Sequence, residues 1–485
     1  MGALRLTSMR KTEIKIAKLH SGQIEQYEQL HRNIPAAIEK NLREKGITSL
    51  RIFREGSTLV MIVDIDPDME KKDRLIDEAI QSEWNRLTGN CFADFWKDAT
   101  EIYRLAAGME TSQDYSTRDG LKRIANKLTN GHQVTVAFIG GSVTAGEGAS
   151  DSNATSYRAL VCQKLERRFP EVAFTFINAA IGGTTSTYGA FRLEDHVLDH
   201  AAVDLLFVEF AVNDAGNRTE SIRAMEGIVR HAKRSNPQID ICFIYTARRS
   251  GSESYSSNRR LQDNIYNHEE VAEYYQLPSV NIAGAIYNKI ISGEIKWEDI
   301  SGDEVHPNDF GYALYARVIE DFLDKELIVP NEKYEDPFAL PSPLDSFCYE
   351  NGKQLSPLIV NTSSNWRMIE GWTTEQIFNW APTADIFFGE TPGDEFQFSF
   401  TGTAVGISLL AGMDTGDIEV SLDGGAFRTI PLFDRYCLMF YRPIIIVFSE
   451  QLDRGTHTVN IRISSEKHET SSGHAIRILK LLVNE

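Results

Sequence analysis

The chain has 485 residues, which at ordinary domain sizes divide into roughly three domains. Its 42% hydrophobic and 25% charged residues point to a water-soluble globular protein, and no apolar run nears the roughly 20 residues needed to cross a bilayer, which excludes a membrane-spanning class. A net charge of -19 works against nonspecific binding to nucleic acid or anionic lipid and leaves a small neutral ligand as the better partner.

Cys91, Cys162, Cys242, Cys348 and Cys437 are odd in number, widely spaced and free of CxxC pairs. They predict buried small hydrophobes, with neither a disulfide framework nor a zinc site. The opening MGALRLTSMRKTEIK lacks the apolar core of a signal peptide, so the chain as it stands reads as cytoplasmic, or as periplasmic or secreted if a leader has been removed.

The first domain, within residues 1–107, reads as α+β. A strand is expected over Lys15–Leu19, and helical spacing runs from Gln23 to Lys45, closed by Gly46. A hairpin follows, Leu50–Arg54 and Thr58–Asp66 across Glu55, Gly56 and Ser57, and then helices over Glu70–Leu87 and Phe92–Leu105. Tyr27 and His31, four residues apart, share one helix face with Pro35 beyond them. On spacing alone the pair reads equally as an amphipathic rim or as ligand-facing groups.

The YxxxH helix, the hairpin ending in IVDID and the FWKD segment with Trp96 together resemble the L-rhamnose mutarotases. The resemblance implies a dimeric ferredoxin-like fold that interconverts sugar anomers, with His31 as candidate acid/base and Tyr27 and Trp96 lining the sugar. Two positions depart from that family. Leu50 stands where it has a tyrosine, and Phe95 replaces the first of two adjacent tryptophans.

After a linker over Ala106–Gly120, residues 118–330 alternate β and α. Strands are expected in Val134–Thr144, as a run that stops at Gly140 and Gly141, and at Ala173–Asn178, Asp204–Phe210 and Ile239–Tyr245. Helices are expected at Thr155–Phe169, Tyr188–Leu198, Glu220–Lys233, Gln262–Tyr275 and Asp309–Asp324. Nearly all-apolar strands alternating with helices mean a parallel sheet covered on both faces, with ligands at the carboxyl ends of its strands.

Small constellations fall at those ends. Ser142 follows the first strand in GGSVT; on its own, such a serine more often caps the next helix. Gly183, in AAIGGTTS, follows the second strand and Asn213, in FAVND, the third; Asp303 and His306 lie three residues apart in GDEVHPNDFGY. Together they supply what acyl transfer needs. Ser142 is the candidate nucleophile, His306 the base, and Asp303 the group holding the imidazole in its useful tautomer. The backbone N–H groups of Ser142 and Gly183, with the Asn213 amide, are candidate oxyanion donors. This chemistry requires neither metal nor cofactor.

In this order and spacing the four blocks resemble those of the SGNH (GDSL-type) hydrolase family, which implies a flavodoxin-like α/β/α domain and a serine esterase. The first block is GGS where many members have GDS, and the third begins with Ala211 where many have glycine. The GxSxG signature of the α/β-hydrolases is not matched, because Thr144 holds its last position. His196 and His200 each follow an aspartate and read as solvated helix residues rather than as the base. Glu209, inside the apolar run LLFVEF, needs a partner, either an arginine such as Arg248 or the active site itself.

A second linker, Asn331–Ser346, leads to residues 340–485, where strand follows strand with Gly and Asp at the turns. A β-sandwich of jelly-roll type is expected, resembling the accessory sandwiches of carbohydrate-active enzymes. Trp366, Trp372 and Trp380 read as packing residues rather than as a sugar-stacking platform. The whole reads as a serine esterase acting on an acylated mono- or oligosaccharide, most simply an acetylated and rhamnose-containing one, with a homodimer implied through the first domain. The rival readings are a sugar mutarotase with a secondary hydrolase domain, and a glycan-binding protein without turnover.

Overall fold

The computed structural model describes residues 11–66, 69, 71, 77–98, 114–129, 133–328, 340–362, 365–375 and 383–485. Two units separate at Ser112/Gln113. The first is built on a four-stranded antiparallel sheet of β1 (Lys11–Leu19), β2 (Ile47–Glu55), β3 (Thr58–Ile65) and β4 (Phe92–Asp98), in the order β2-β3-β1-β4. The hairpin between β2 and β3 turns at Gly56, whose φ of 56° is one that a residue without a Cβ adopts freely.

Three expectations for this unit change. The Gln23–Lys45 helix is two helices, Ile24–Arg32 and Ala36–Glu44, because Pro35 offers no N–H and disfavours helical angles in the residue before it. The next helix begins at Glu78, where the Asp77 side chain accepts the Ile80 N–H, and most of 70–77 lies outside the described residues. Phe92–Asp98 is a strand, not a helix, and pairs with β1. Phe92 and Trp96 join the core while Phe95 is exposed; a spacing of four serves one face of either element, and aromatic residues favour the strand. Residues 99–105 of that expected helix lie outside the described residues.

The second unit opens with a six-stranded sheet of β5 (Tyr115–Ser116), β6 (Val134–Gly140), β7 (Phe174–Ala180), β8 (Leu205–Glu209), β9 (Asp240–Tyr245) and β10 (Ser279–Asn281). Its order is β5-β10-β9-β8-β6-β7, parallel except for β5 at the edge. From β6 the chain goes to β7 on one side and then returns to β8 on the other. The strand order therefore reverses beside β6, which opens a crevice at the carboxyl ends of β6 and β8. Every residue of β6, β8 and β9 is buried, as expected of strands covered on both faces. The short strand β5 and the helices Lys122–Thr129, Arg249–Asn258 and Ile282–Ile291 were not anticipated from the sequence pattern.

Beyond residue 340 the chain forms two antiparallel sheets. One runs in the order Arg367–Trp372, Ala384–Gly389, Ile476–Asn484, Ala404–Ala411, Arg442–Ser449, with Gly352–Leu355 added to Ile476–Asn484. The other runs Asn361–Thr362, Glu395–Gly402, Gly455–Ile463, Ile418–Leu422, Arg428–Ile430. Phe398, Phe400, Val459 and Ile461 face Ile407, Leu409, Ile478 and Leu481 within one core. Trp366 is 6% exposed and stacks on Phe387; Arg477 covers the ring of Trp372; Trp380 lies outside the described residues.

These sheets and the α/β layers share a core, into which Tyr349, Ala404 and Leu482 reach. The segment 340–351, which begins within the expected linker and runs past its end at Ser346, is strapped to helix Arg218–Ser235. Arg223 pairs with Asp345 at 2.8 Å and Glu450 at 3.4 Å, and Arg230 with Glu350 at 2.6 Å. The Glu226 carboxylate accepts the backbone N–H groups of Leu344 and Asp345. All five cysteines are free and buried. Among the described residues no helix is long and apolar enough to cross a membrane.

Candidate active site

The strand β6 ends at Gly140, and Gly141 begins a turn into a four-residue helix whose first residue is Ser142. Both glycines are needed by what surrounds them. A Cβ on Gly140 would strike Thr144 and the Glu209 carbonyl, and one on Gly141 would strike the Asn213 carboxamide. At the start of this helix the Ser142 N–H has no acceptor within the helix.

The imidazole of His306 comes to Ser142 from 164 residues away, with Nε2 at 2.8 Å from Oγ. On the other side of the ring Nδ1 is 2.8 Å from Asp303 Oδ2. Asp303 Oδ1 accepts the N–H groups of Val305 and His306 at 2.8 and 2.7 Å, so one carboxylate shapes the loop and orients the ring together. Burial alone would raise the Asp303 pKa, but these donors and the imidazole outweigh it and hold the carboxyl below the usual carboxylate range. The loop is closed by Ser301, which donates to the His306 carbonyl at 2.8 Å, and by Trp297, whose indole N–H donates to the Asp303 carbonyl at 2.7 Å.

Gly183 follows β7 with φ 72°, and a Cβ built on it meets nothing within 4 Å, so its backbone borders open space. Asn213 follows β8 with its carboxamide against Gly141, one residue before Ser142. Its neighbour Asp214 accepts the Ser186 N–H at 2.9 Å and the Ser186 hydroxyl at 2.7 Å, and takes a hydrogen bond from buried His268 at 2.8 Å. The loops after β7 and β8 are thereby tied to each other. The ends of β6, β7 and β8 and the loop before helix Asp309–Glu326 thus bring together a hydroxyl, an imidazole, a carboxylate and backbone and amide donors.

Several supporting residues escaped the sequence reading. Asp309 accepts the Ser150 N–H and hydroxyl at 2.8 and 2.6 Å and the Thr155 hydroxyl at 2.7 Å, while Tyr312 donates to the carbonyls of Val143 and Glu147. The segment after the nucleophile turn is thus pinned to the segment after the histidine loop. In sequence, Asp309 looks only like the first residue of a capped helix. Glu209 pairs neither with Arg248 nor with Ser142; its partners are the hydroxyls of Thr144 and Thr246. His196 is half-buried beside Arg192, and His200 is exposed.

In the first unit, His31 donates from Nδ1 to the Tyr27 carbonyl at 2.9 Å, which leaves Nε2 as the acceptor of the neutral ring. Burial lowers the His31 pKa, favouring that neutral form, against the opposing effect of the Tyr27 carbonyl. Its ring stacks on Tyr27 at 4.0 Å and meets Trp84 edge-on at 5.2 Å. Tyr27 itself is 4% exposed and belongs to the core; Trp96 reaches it through Phe92.

Residues 138–314 match the model of the GDSL-like Lipase/Acylhydrolase family, and residues 14–112 that of L-rhamnose mutarotase. No curated protein matches the chain. Among solved structures it is similar to a two-domain esterase (CEX) active on acetylated mannans, with a TM-score of 0.65 and 24% identity over 77% of this chain and 98% of that one. The same esterase co-crystallised with mannopentaose gives a TM-score of 0.64 at 24% identity, covering 77% of this chain and 97% of that one. At that identity the likeness establishes a shared fold. The chain therefore carries an L-rhamnose mutarotase domain ahead of a GDSL-like acylhydrolase domain, and through the latter it is a carboxylic ester hydrolase.

Proposed function

We propose that the protein is a serine esterase that removes acyl groups, most simply acetyl, from hydroxyls of a mono- or oligosaccharide. The contact of Ser142 Oγ with His306 Nε2, itself backed by Asp303, carries this reading. Ser142 Oγ attacks the ester carbonyl as its proton passes to His306 Nε2. The oxyanion is held by the N–H groups of Ser142 and Gly183 and the Asn213 amide. Collapse of the tetrahedral intermediate breaks the bond to the sugar oxygen, which leaves with the proton from His306. Water then attacks the acyl-serine by the same route, releasing the carboxylic acid and restoring Ser142.

The sugar substrate is supported by the mutarotase domain in the same chain and by a fold shared with an esterase active on acetylated mannans. We read the chain as a ferredoxin-like domain (1–107), a flavodoxin-like SGNH domain (118–330) and a jelly-roll-like sandwich (340–485). The mutarotase match and the neutral, oriented His31 favour a second activity, anomer exchange, in the first domain. Across its sheet Phe53, Val60 and Ile16 lie in one row, with Phe53 55% and Ile16 37% exposed, which supports pairing through this domain in a homodimer.

The test is acetate release from acetylated oligosaccharides, followed by NMR with wild type and Ser142→Ala. Release that falls by at least about 10⁴-fold in the variant supports the reading. Equal release by both proteins, or none from any acetylated sugar, overturns it.

A further inference from the structure

A carboxyl group buried at the end of a hydrophobic strand requires a reason. Glu209 closes β8, is 1% exposed, and burial raises its pKa against the hydrogen bonds it receives. Those bonds come from two sides. Oε2 accepts the Thr144 hydroxyl at 2.9 Å and Oε1 accepts the Thr246 hydroxyl at 2.6 Å, while the nearby Gly141 backbone N–H favours the charged form. Because Thr144 spends its proton on Glu209, the Tyr157 hydroxyl, 2.6 Å from Thr144 Oγ1, must donate to Thr144.

Gly141 and Thr144 stand on either side of the nucleophile, and Thr246 follows β9. The Glu209 carboxyl therefore joins the ends of β6, β8 and β9 directly beneath the turn that presents Ser142. Tyr312 holds the carbonyls of Val143 and Glu147 and Arg192 that of Gly140, while Glu209 holds the Thr144 side chain from beneath. Gly140 contributes no side chain, and the four-residue helix makes too few internal bonds to hold its own shape. A small rotation of the turn would move both Ser142 Oγ and the Ser142 N–H, hence the attacking atom and an oxyanion donor at once.

We propose that Glu209 is a positioning residue for ester hydrolysis, its buried carboxyl locking the Gly141–Thr144 turn so that Ser142 meets His306 in attacking geometry. This rests on the esterase reading above. Glu209 touches no reacting atom, so its removal affects turnover rather than ground-state binding.

The test is steady-state hydrolysis of p-nitrophenyl acetate by the full chain, in wild type, Glu209→Ala, Glu209→Gln and Thr246→Val, with thermal midpoints measured alongside. Glu209→Ala is expected to lose about 10²-fold in kcat with KM within about twofold, the scale of a slightly misplaced reacting group. Glu209→Gln is expected to recover most of that loss, because an amide oxygen still accepts from one hydroxyl while the other turns to accept from the amide nitrogen. If Glu209→Ala does not fold, Thr246→Val removes a single donor, and a drop in kcat of about tenfold at constant KM supports the proposal. A folded Glu209→Ala with wild-type kcat, or a loss in KM alone, overturns it while leaving the esterase intact. A wild type that hydrolyses no ester overturns both.

Discussion

The carboxamide of Asn213 rests against Gly141, in the space that a side chain on that residue would fill. The absence of a Cβ on Gly141 lets the amide close on the turn. Gly141→Ala should displace Asn213, and kcat should fall by about 10²- to 10³-fold, the usual cost of one oxyanion donor. Kinetics on p-nitrophenyl acetate, with near-ultraviolet circular dichroism as the folding control, check this. A variant with wild-type turnover would show that Asn213 has no part in holding the oxyanion.

In the proposed mechanism Asp303 orients while His306 moves the proton, and their variants should differ accordingly. His306→Ala is expected to lose on the order of 10⁶-fold in kcat, and Asp303→Asn less than about 10⁴-fold, because the aspartate is half-exposed. Asp303 is held below the usual carboxylate range, so it stays ionised as a solution is acidified from neutrality, and its orienting effect is lost only as pH falls through that lowered value. The decline of kcat/KM on mild acidification should therefore carry no contribution from Asp303 and follow a one-proton slope. A two-proton slope would mean that Asp303 titrates in the same window.

Arg223 fastens the strap at 340–351 to the α/β layers. Its side chain is 3% exposed and pairs with Asp345 and Glu450, so Arg223→Ala leaves two carboxylates at the seam without their cation. Loss of one partner of a buried pair costs about 3–5 kcal/mol, and the partial exposure of both acids favours the lower figure. Arg317→Ala, which breaks the exposed pair with Asp321, should cost less than about 1 kcal/mol. Chemical denaturation of the two variants compares them directly.

His196 and His231 are lowered from 6.5 to about 4, chiefly by burial and then by Arg192 and Arg234 respectively. Both remain neutral in the folded chain at a pH where the unfolded chain binds their protons. Stability contributed by these sites is thus full above about 6.5 and falls as pH drops toward 4. The urea midpoint of His231→Gln should decline less between pH 7 and 5 than that of wild type. Parallel declines would contradict the shift.

The chemistry was legible in the sequence because catalytic blocks carry rare combinations of residue types. Ser142, His306 and Asp303 come into contact, and Gly183 and Asn213 lie at the strand ends where the alternating pattern places them. Periodicity failed where one spacing serves two elements. Phe92 and Trp96 would share a face in a helix as in a strand, and only pairing with Lys15–Leu19 decides for the strand. The break at Pro35 was visible but outweighed by the apolar spacing on both sides of it. The partners of Glu209 were not legible, since Thr144 and Thr246 belong to different strand ends and meet only across the assembled sheet.

Covalent trapping addresses the role of Ser142 most directly. Wild type, Ser142→Ala and His306→Ala are exposed to an aryl alkylphosphonate, and the adduct is located by peptide mass spectrometry. A single adduct on Ser142, absent from Ser142→Ala and formed at least about 10³-fold more slowly in His306→Ala, is the predicted result. An adduct on another residue, or one that forms on Ser142 at the same rate without the imidazole, would contradict it.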